Sequence, residues 1–145
     1  MTIPQKKLRE AVFYAVFSFD YDESLDCESL VPLLMEQLEM SKKNVKDAIY
    51  KASLVMEKLS IIDAKLKEYV EGYSLERVSS AERNILRLAT YEILFDNDLP
   101  EVVAIAEGIR LGRKFSTPEG ANFINGVLDS LFKAQPISTC IDASC

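Results

Sequence analysis

Leu8, Ala11, Val12, Ala15, Val16 and Phe19 recur at i, i+3, i+4 and i+7, the stripe of an amphipathic helix, and with Pro4 ahead of them they predict a helix over residues 5–19. At about 100° per residue, Lys6, Arg9, Phe13 and Phe17 gather on the opposite side. Two rings sharing a face with two cations fit either an RNA-stacking surface or a second helix packed there, and a Phe face favours packing. Residues 20–24 (Asp-Tyr-Asp-Glu-Ser) read as an acidic loop, and a second helix opens near Ser29, takes Pro32 in its first turn and ends near Met40. Ser41 caps a third helix with Val45, Ala48, Ile49, Ala52, Val55, Met56 and Leu59 inside. Its other face, with Lys42, Lys43, Lys46, Asp47, Lys51 and Glu57, reads as solvated. A shorter helix over 61–71 carries Ile62, Leu66, Tyr69 and Val70 and stops at Gly72.

The stretch 78–95 is apolar over most of its circumference, through Ile85, Leu86, Leu88, Ala89, Ile93 and Leu94, with Arg83, Arg87 and Glu92 interrupting. Such a helix is covered by neighbours on more than one side, so it belongs at the centre of a bundle. Ser79 and Glu82 have capping-box spacing, hydroxyl to the Glu82 amide and carboxylate back to the Ser79 amide. Pro100 starts a sixth helix running to about Phe115, with Gly108 and Gly112 on one face to let another helix approach. Thr117 and Pro118 open the last helix, whose buried stripe is Ala121, Ile124, Val127, Leu128, Leu131 and Phe132, with Phe123 at the border of core and water. From Ala134 onward no helical period remains. The expectation is an all-α fold of seven helices in two packed groups, a domain over 1–133 subdivided near residue 72, and a flexible tail over 134–145.

A chain of 145 residues can remove roughly two thirds of its unfolded surface from water, so folding needs neither metal nor disulfide. Hydrophobic residues at 48% and charged residues at 28% are too apolar a mixture for disorder. No apolar run reaches the ~20 residues of a membrane span and no signal-peptide block opens the chain, so a cytoplasmic location is expected. Cys27, Cys140 and Cys145 form neither a disulfide framework nor a metal motif and read as unpaired thiols; histidine is absent altogether. No phosphate loop, nucleophile elbow or zinc pattern occurs, and the carboxylates read as lying along solvated faces, so the chain is expected to be a binding module with no cofactor rather than an enzyme. A net charge of −6 argues against indiscriminate coating of nucleic acid. Two basic clusters remain: Lys6, Lys7 and Arg9 at the start, and Arg110, Arg113 and Lys114 at the end of the sixth helix. Cations in a last helical turn have a plain role on the helix dipole. Brought together with Phe17 and Phe123, the two clusters would make a single-stranded RNA site, bases on rings and phosphates on cations.

Three blocks carry more: Ala-Glu-Arg-Asn-Ile-Leu-Arg-Leu-Ala-Thr-Tyr-Glu-Ile-Leu at 81–94, Leu-Pro-Glu-Val-Val-Ala-Ile-Ala-Glu-Gly-Ile-Arg-Leu at 99–111, and Phe-Ile-Asn-Gly-Val-Leu-Asp at 123–129. With Arg9-Glu10-Ala11 they make a sequence that resembles the NusB transcription antitermination family over nearly the whole chain up to residue 133. That resemblance implies two packed helical groups. It also implies a heterodimer with NusE, a ribosomal small-subunit protein, that binds the boxA element of nascent ribosomal RNA, within the transcription elongation complex, and suppresses termination. Position by position it places RNA contacts at Lys6, Lys7 and Arg9 and the stacking ring at Phe123; Phe17, Arg113, Lys114 and Asn122 complete the candidate RNA site. It places partner contacts at Glu82 and Glu119; Arg83, beside Glu82, is a further partner-binding candidate. The chain departs from the family's pattern where Gln5 and Leu8 thin the basic start, where Ala106 replaces an Asn, and where Asn122 replaces a frequent Lys. Each lost phosphate contact flattens the salt dependence, so weak RNA binding by the chain alone is expected. Two other readings are a protein–protein scaffold or homodimer whose RNA face is occluded, and a fragment of a ribosomal RNA (cytosine) methyltransferase, which the absence of a following domain ranks last.

Overall fold

A computed structural model describes residues 4–70 and 75–134. Among them are seven α-helices and one short 3-10 turn: α1 (Gln5–Tyr21), α2 (Cys27–Leu38), α3 (Lys42–Glu57), α4 (Leu59–Lys67), the turn Leu75–Arg77, α5 (Ser80–Phe95), α6 (Glu101–Phe115) and α7 (Pro118–Ala134). The Gly72 helix stop and the tail after Ala134, with Cys140 and Cys145, lie outside the described residues. No described helix is long and apolar enough to cross a membrane.

α5 is the centre. It packs against α1, α3, α4, α6 and α7, and every residue from Asn84 to Thr90 is buried, as is Glu92. The polar interruptions are accommodated by ion pairs. Arg87 donates from Nε and Nη2 to the two carboxylate oxygens of Asp63, both at 2.9 Å, and from Nη1 to the buried Asn84 Oδ1 at 3.0 Å. It also lies 2.9 Å from Asp20. Glu92, only 1% exposed, accepts from Arg9 and from Lys51. These contacts correct two expectations: Lys51 is not simply solvated but reaches across from α3 to α5, and several carboxylates sit inside the bundle, each matched to a cation as burial of charge requires.

The other differences are at helix ends. α1 continues through Tyr21, so Asp20 is helical rather than part of a loop, and its carboxylate holds Arg83 and Asn84 of α5. Asp26, not Ser29, caps α2 by accepting from the Ser29 amide at 2.7 Å, which puts Pro32 one turn deeper than expected. α2 ends at Glu39, whose φ of 53° is left-handed, and the Met40 amide reaches back to the Met35 carbonyl, the bond of a Schellman motif. α3 stops at Glu57 and α4 begins at once, the two sharing Lys58 as cap. Ser41, Ser79 and Thr117 cap α3, α5 and α7 as the sequence predicts. Only half of the α5 capping box forms, however, because the Glu82 carboxylate goes elsewhere.

α6 and α7 come together at the two glycines. A Cβ on Gly108 would stand 2.8 Å from Leu128 Cδ1; one on Gly112 would stand 2.8 Å from Ile124 Cδ1 and 3.1 Å from the Ala121 Cα. The Leu128 methyl is the free end of a side chain, whereas the Ala121 backbone cannot swing away. Gly112→Val is therefore expected to destabilise the fold by about 2–3 kcal/mol, and more than Gly108→Ala, as read by urea denaturation.

Candidate RNA and partner interface

The fold joins the two basic clusters, which are about a hundred residues apart in sequence. The first turns of α1 run alongside the second half of α6: Arg110 Nη2 donates to the Lys6 carbonyl oxygen at 3.3 Å, and one turn on Lys114 Nζ reaches Glu10. Lys6, Lys7 and Arg113 are exposed there and make no ion pair with a described residue. Arg113 and Lys114 occupy the last turn of α6, so the dipole role and the site role fall on the same residues. Beyond them runs the α6–α7 seam. Gly112 meets Ala121 and Ile124 across it, and the sequence neighbours on either side, Arg113 on α6 and Asn122 on α7, are exposed. Phe123 follows, half-buried and packed on the core.

Arg9 is placed differently. Its guanidinium lies 3.2 Å from Glu92 and 3.1 Å from Glu107, with 11% of the side chain exposed. It serves as a buried crosslink between α1, α5 and α6. The aromatic face of α1 is packing surface: Phe13 is 3% exposed and stacks on Phe115 at 4.9 Å between ring centroids. Phe17 stands next in that row, 6.0 Å from Phe13. It also lines a cleft of about 400 Å³ between α1 and α2 with Tyr14, Tyr21, Leu25 and Leu33. Phe17 is thus two rings away from Phe115, over which Lys114 sits at 5.6 Å.

The acidic candidates gather at the start of α5 and of α7. Ser116 Oγ donates to Glu82 Oε2 at 2.7 Å, tying α5 to the α6–α7 junction. Gly120 lies against that pair, so close that a Cβ there would meet Ser116 Oγ and stand 2.6 Å from Glu82 Oε2. Glu119, the preceding residue, is exposed in the first turn of α7. Arg83 is held by Asp20 at 2.8 Å and by the Val78 carbonyl, which fixes the start of α5 on the end of α1. Against the opposing effect of its burial, Arg83, Asn84 and Arg87 draw the Asp20 carboxyl down to about 2.

Sequence reading missed Glu10 and Glu107. Glu107 binds both Arg9 and Arg110, and Glu10 binds Arg110 and Lys114. The Glu107–Arg110 pair has the legible i, i+3 spacing; the Glu10 contacts depend on the packing of α1 on α6 and leave no local signal. Among the described residues no cluster of His, Cys, Asp or Glu could hold a metal ion.

Comparison with known proteins fits this architecture. The model of the NusB family matches residues 6–133. The chain is 37% identical to the transcription antitermination protein NusB of Thermotoga maritima over 133 residues, 92% of this chain and 93% of that protein. It is 32% identical to the NusB of Dehalococcoides mccartyi, with the same coverage of each. Among solved structures, T. maritima NusB superimposes with a TM-score of 0.78 at 36% identity, covering 93% of this chain and 94% of the other. A structure of the antitermination factors NusB and NusE in complex with dsRNA gives a TM-score of 0.77 at 22% identity, covering 90% and 97%, a likeness of fold. The chain belongs to the NusB family.

Proposed function

We propose that this protein is a cytoplasmic transcription antitermination factor that binds single-stranded, boxA-like RNA as a heterodimer with the ribosomal protein NusE, and acts within the elongation complex. The observation that carries the reading is the union of Lys6, Lys7, Arg113 and Lys114 at the meeting of α1 and α6, next to the seam that carries Asn122 and Phe123. Cations there take phosphates while the part of the Phe123 ring open to water takes a base. Its supports are the shared name of the relatives and the fold likeness to a NusB–NusE–RNA complex.

The partner surface on this reading centres on Glu82 and Glu119, on either side of the Gly120–Ser116 junction. Glu82→Ala removes a carboxylate and releases Ser116. Calorimetry with NusE is expected to show affinity lowered about tenfold or more, as for truncation of a hydrogen-bonded charge at an interface. Unchanged affinity would remove Glu82 from the surface. The function itself is tested by fluorescence anisotropy with labelled boxA-like RNA, single-stranded and duplex, with and without NusE. Tighter binding of the single strand in the presence of NusE is expected, and no binding of either RNA at low salt would refute the reading.

A further inference from the structure

The cations of this site are not equally available. Lys6, Lys7 and Arg113 face water, whereas Arg110 and Lys114 are already occupied by one carboxylate. Glu10 Oε2 accepts from Arg110 Nη1 at 2.7 Å, and Glu10 Oε1 accepts from Lys114 Nζ at 2.8 Å. Each oxygen of Glu10 therefore carries one cation, the arrangement that two non-bridging oxygens of a phosphate would adopt. Glu10 is well placed for this: its side chain is 15% exposed, whereas that of Lys114 is 54% exposed. Arg110 is anchored from behind by Glu107 and by the Lys6 carbonyl. Arg110 thus keeps its position when Glu10 lets go, and Lys114 can swing outward.

We propose that Glu10 is an internal stand-in for phosphate that holds Arg110 and Lys114 back from RNA, so that it sets the affinity and salt dependence of the site. This rests on the RNA-binding reading above. An incoming phosphate competes with Glu10 for two cations already in place. The binding enthalpy it gains is reduced by the contacts it displaces, and the displaced carboxylate stays beside the strand and offsets part of the positive charge that would otherwise release counterions from the RNA. The surface therefore discriminates against weak, diffuse contact with any polyanion and rewards an RNA held firmly by its other contacts. This suits a chain whose net charge is −6.

The test compares wild-type protein and Glu10→Gln, each with NusE, on the same single-stranded RNA across a salt series. At about 0.7 per phosphate contact on a single strand, two released cations are expected to steepen the salt slope by about 1.4 and to tighten binding about fivefold at low salt. Weaker or equal binding with an unchanged slope would overturn the role of Glu10 while leaving the RNA-binding reading intact. Failure of the wild type to bind would overturn both. A second measurement needs no variant: the Glu10 carboxyl, held below the usual carboxylate range by Lys114 and Arg110, is followed by carbon-detected NMR titration of the wild-type heterodimer. On RNA binding it is expected to titrate at higher pH as it loses its partners. An unaltered titration would show that the cations never leave it, and would overturn the proposal.

Discussion

Arg87→Ala is expected to lower the free energy of unfolding by about 3–5 kcal/mol, the largest stability effect of any single change considered. The guanidinium is the common partner of Asp63, Asp20 and the buried Asn84 carbonyl oxygen. Its removal leaves the Asp63 carboxylate without its cation and the Asn84 amide oxygen without a donor, while Asp20 keeps only Arg83 and Asn84, and the cost of unpaired buried groups exceeds the loss of the contacts themselves. Denaturation midpoints in urea measure this directly. The same cluster gives a pH dependence. The folded-state value of Asp20 near 2 lies below its ordinary value of 3.8, so its contribution is fully present above about pH 4 and is lost as pH falls toward 2. With part of the carboxyl open to solvent, that contribution is of order 1 kcal/mol. Arg87→Ala should therefore flatten the acid limb of the stability profile as well as lower it.

Phe123→Ala is expected to weaken binding of single-stranded RNA tenfold to a hundredfold, since stacking of one base on an aromatic ring contributes roughly 1–3 kcal/mol. The ring is half-buried and packed on the core, so it is held in place while part of it stays open to a base. Anisotropy with the NusE heterodimer measures the loss. Because stacking carries no charge, the salt slope should stay as in the wild type, which separates this defect from loss of a cation. A parallel melt separates it from unfolding.

The helices were legible because their stripes are regular and their starts are written in Ser41, Ser79, Thr117 and Pro118, each of which caps or opens a helix. The centrality of α5 was legible too, since only a helix covered on several sides has apolar residues around most of its circumference. What escaped was long-range pairing of charge. Arg9 looks like a surface cation in sequence, and only the packing of α1 on α5 and α6 puts it between Glu92 and Glu107. Glu82 has the spacing of a capping residue, yet its carboxylate finds Ser116, 34 residues away. Local rules assign a charged side chain to water or to its own helix. A bundle that brings two helices within reach offers a third partner, and a partly desolvated ion pair then replaces hydration. For the site, the Phe17 row was the ambiguous feature: periodicity placed the rings on one face, but only Phe115 stacked on Phe13 shows that face to be covered.

The claim on which the account depends is that cations from opposite ends of the sequence act on one RNA strand. It is tested most directly by the salt dependence of RNA binding to the NusE heterodimer of the wild type and of the triple variant Lys6→Gln, Lys7→Gln, Arg113→Gln. Three phosphate contacts correspond to a slope of about 2 in log affinity against log salt. The account predicts that the variant loses about this much, with Lys6→Gln/Lys7→Gln and Arg113→Gln alone each losing their share. Slopes that do not change, in a heterodimer that still binds the RNA, would contradict it.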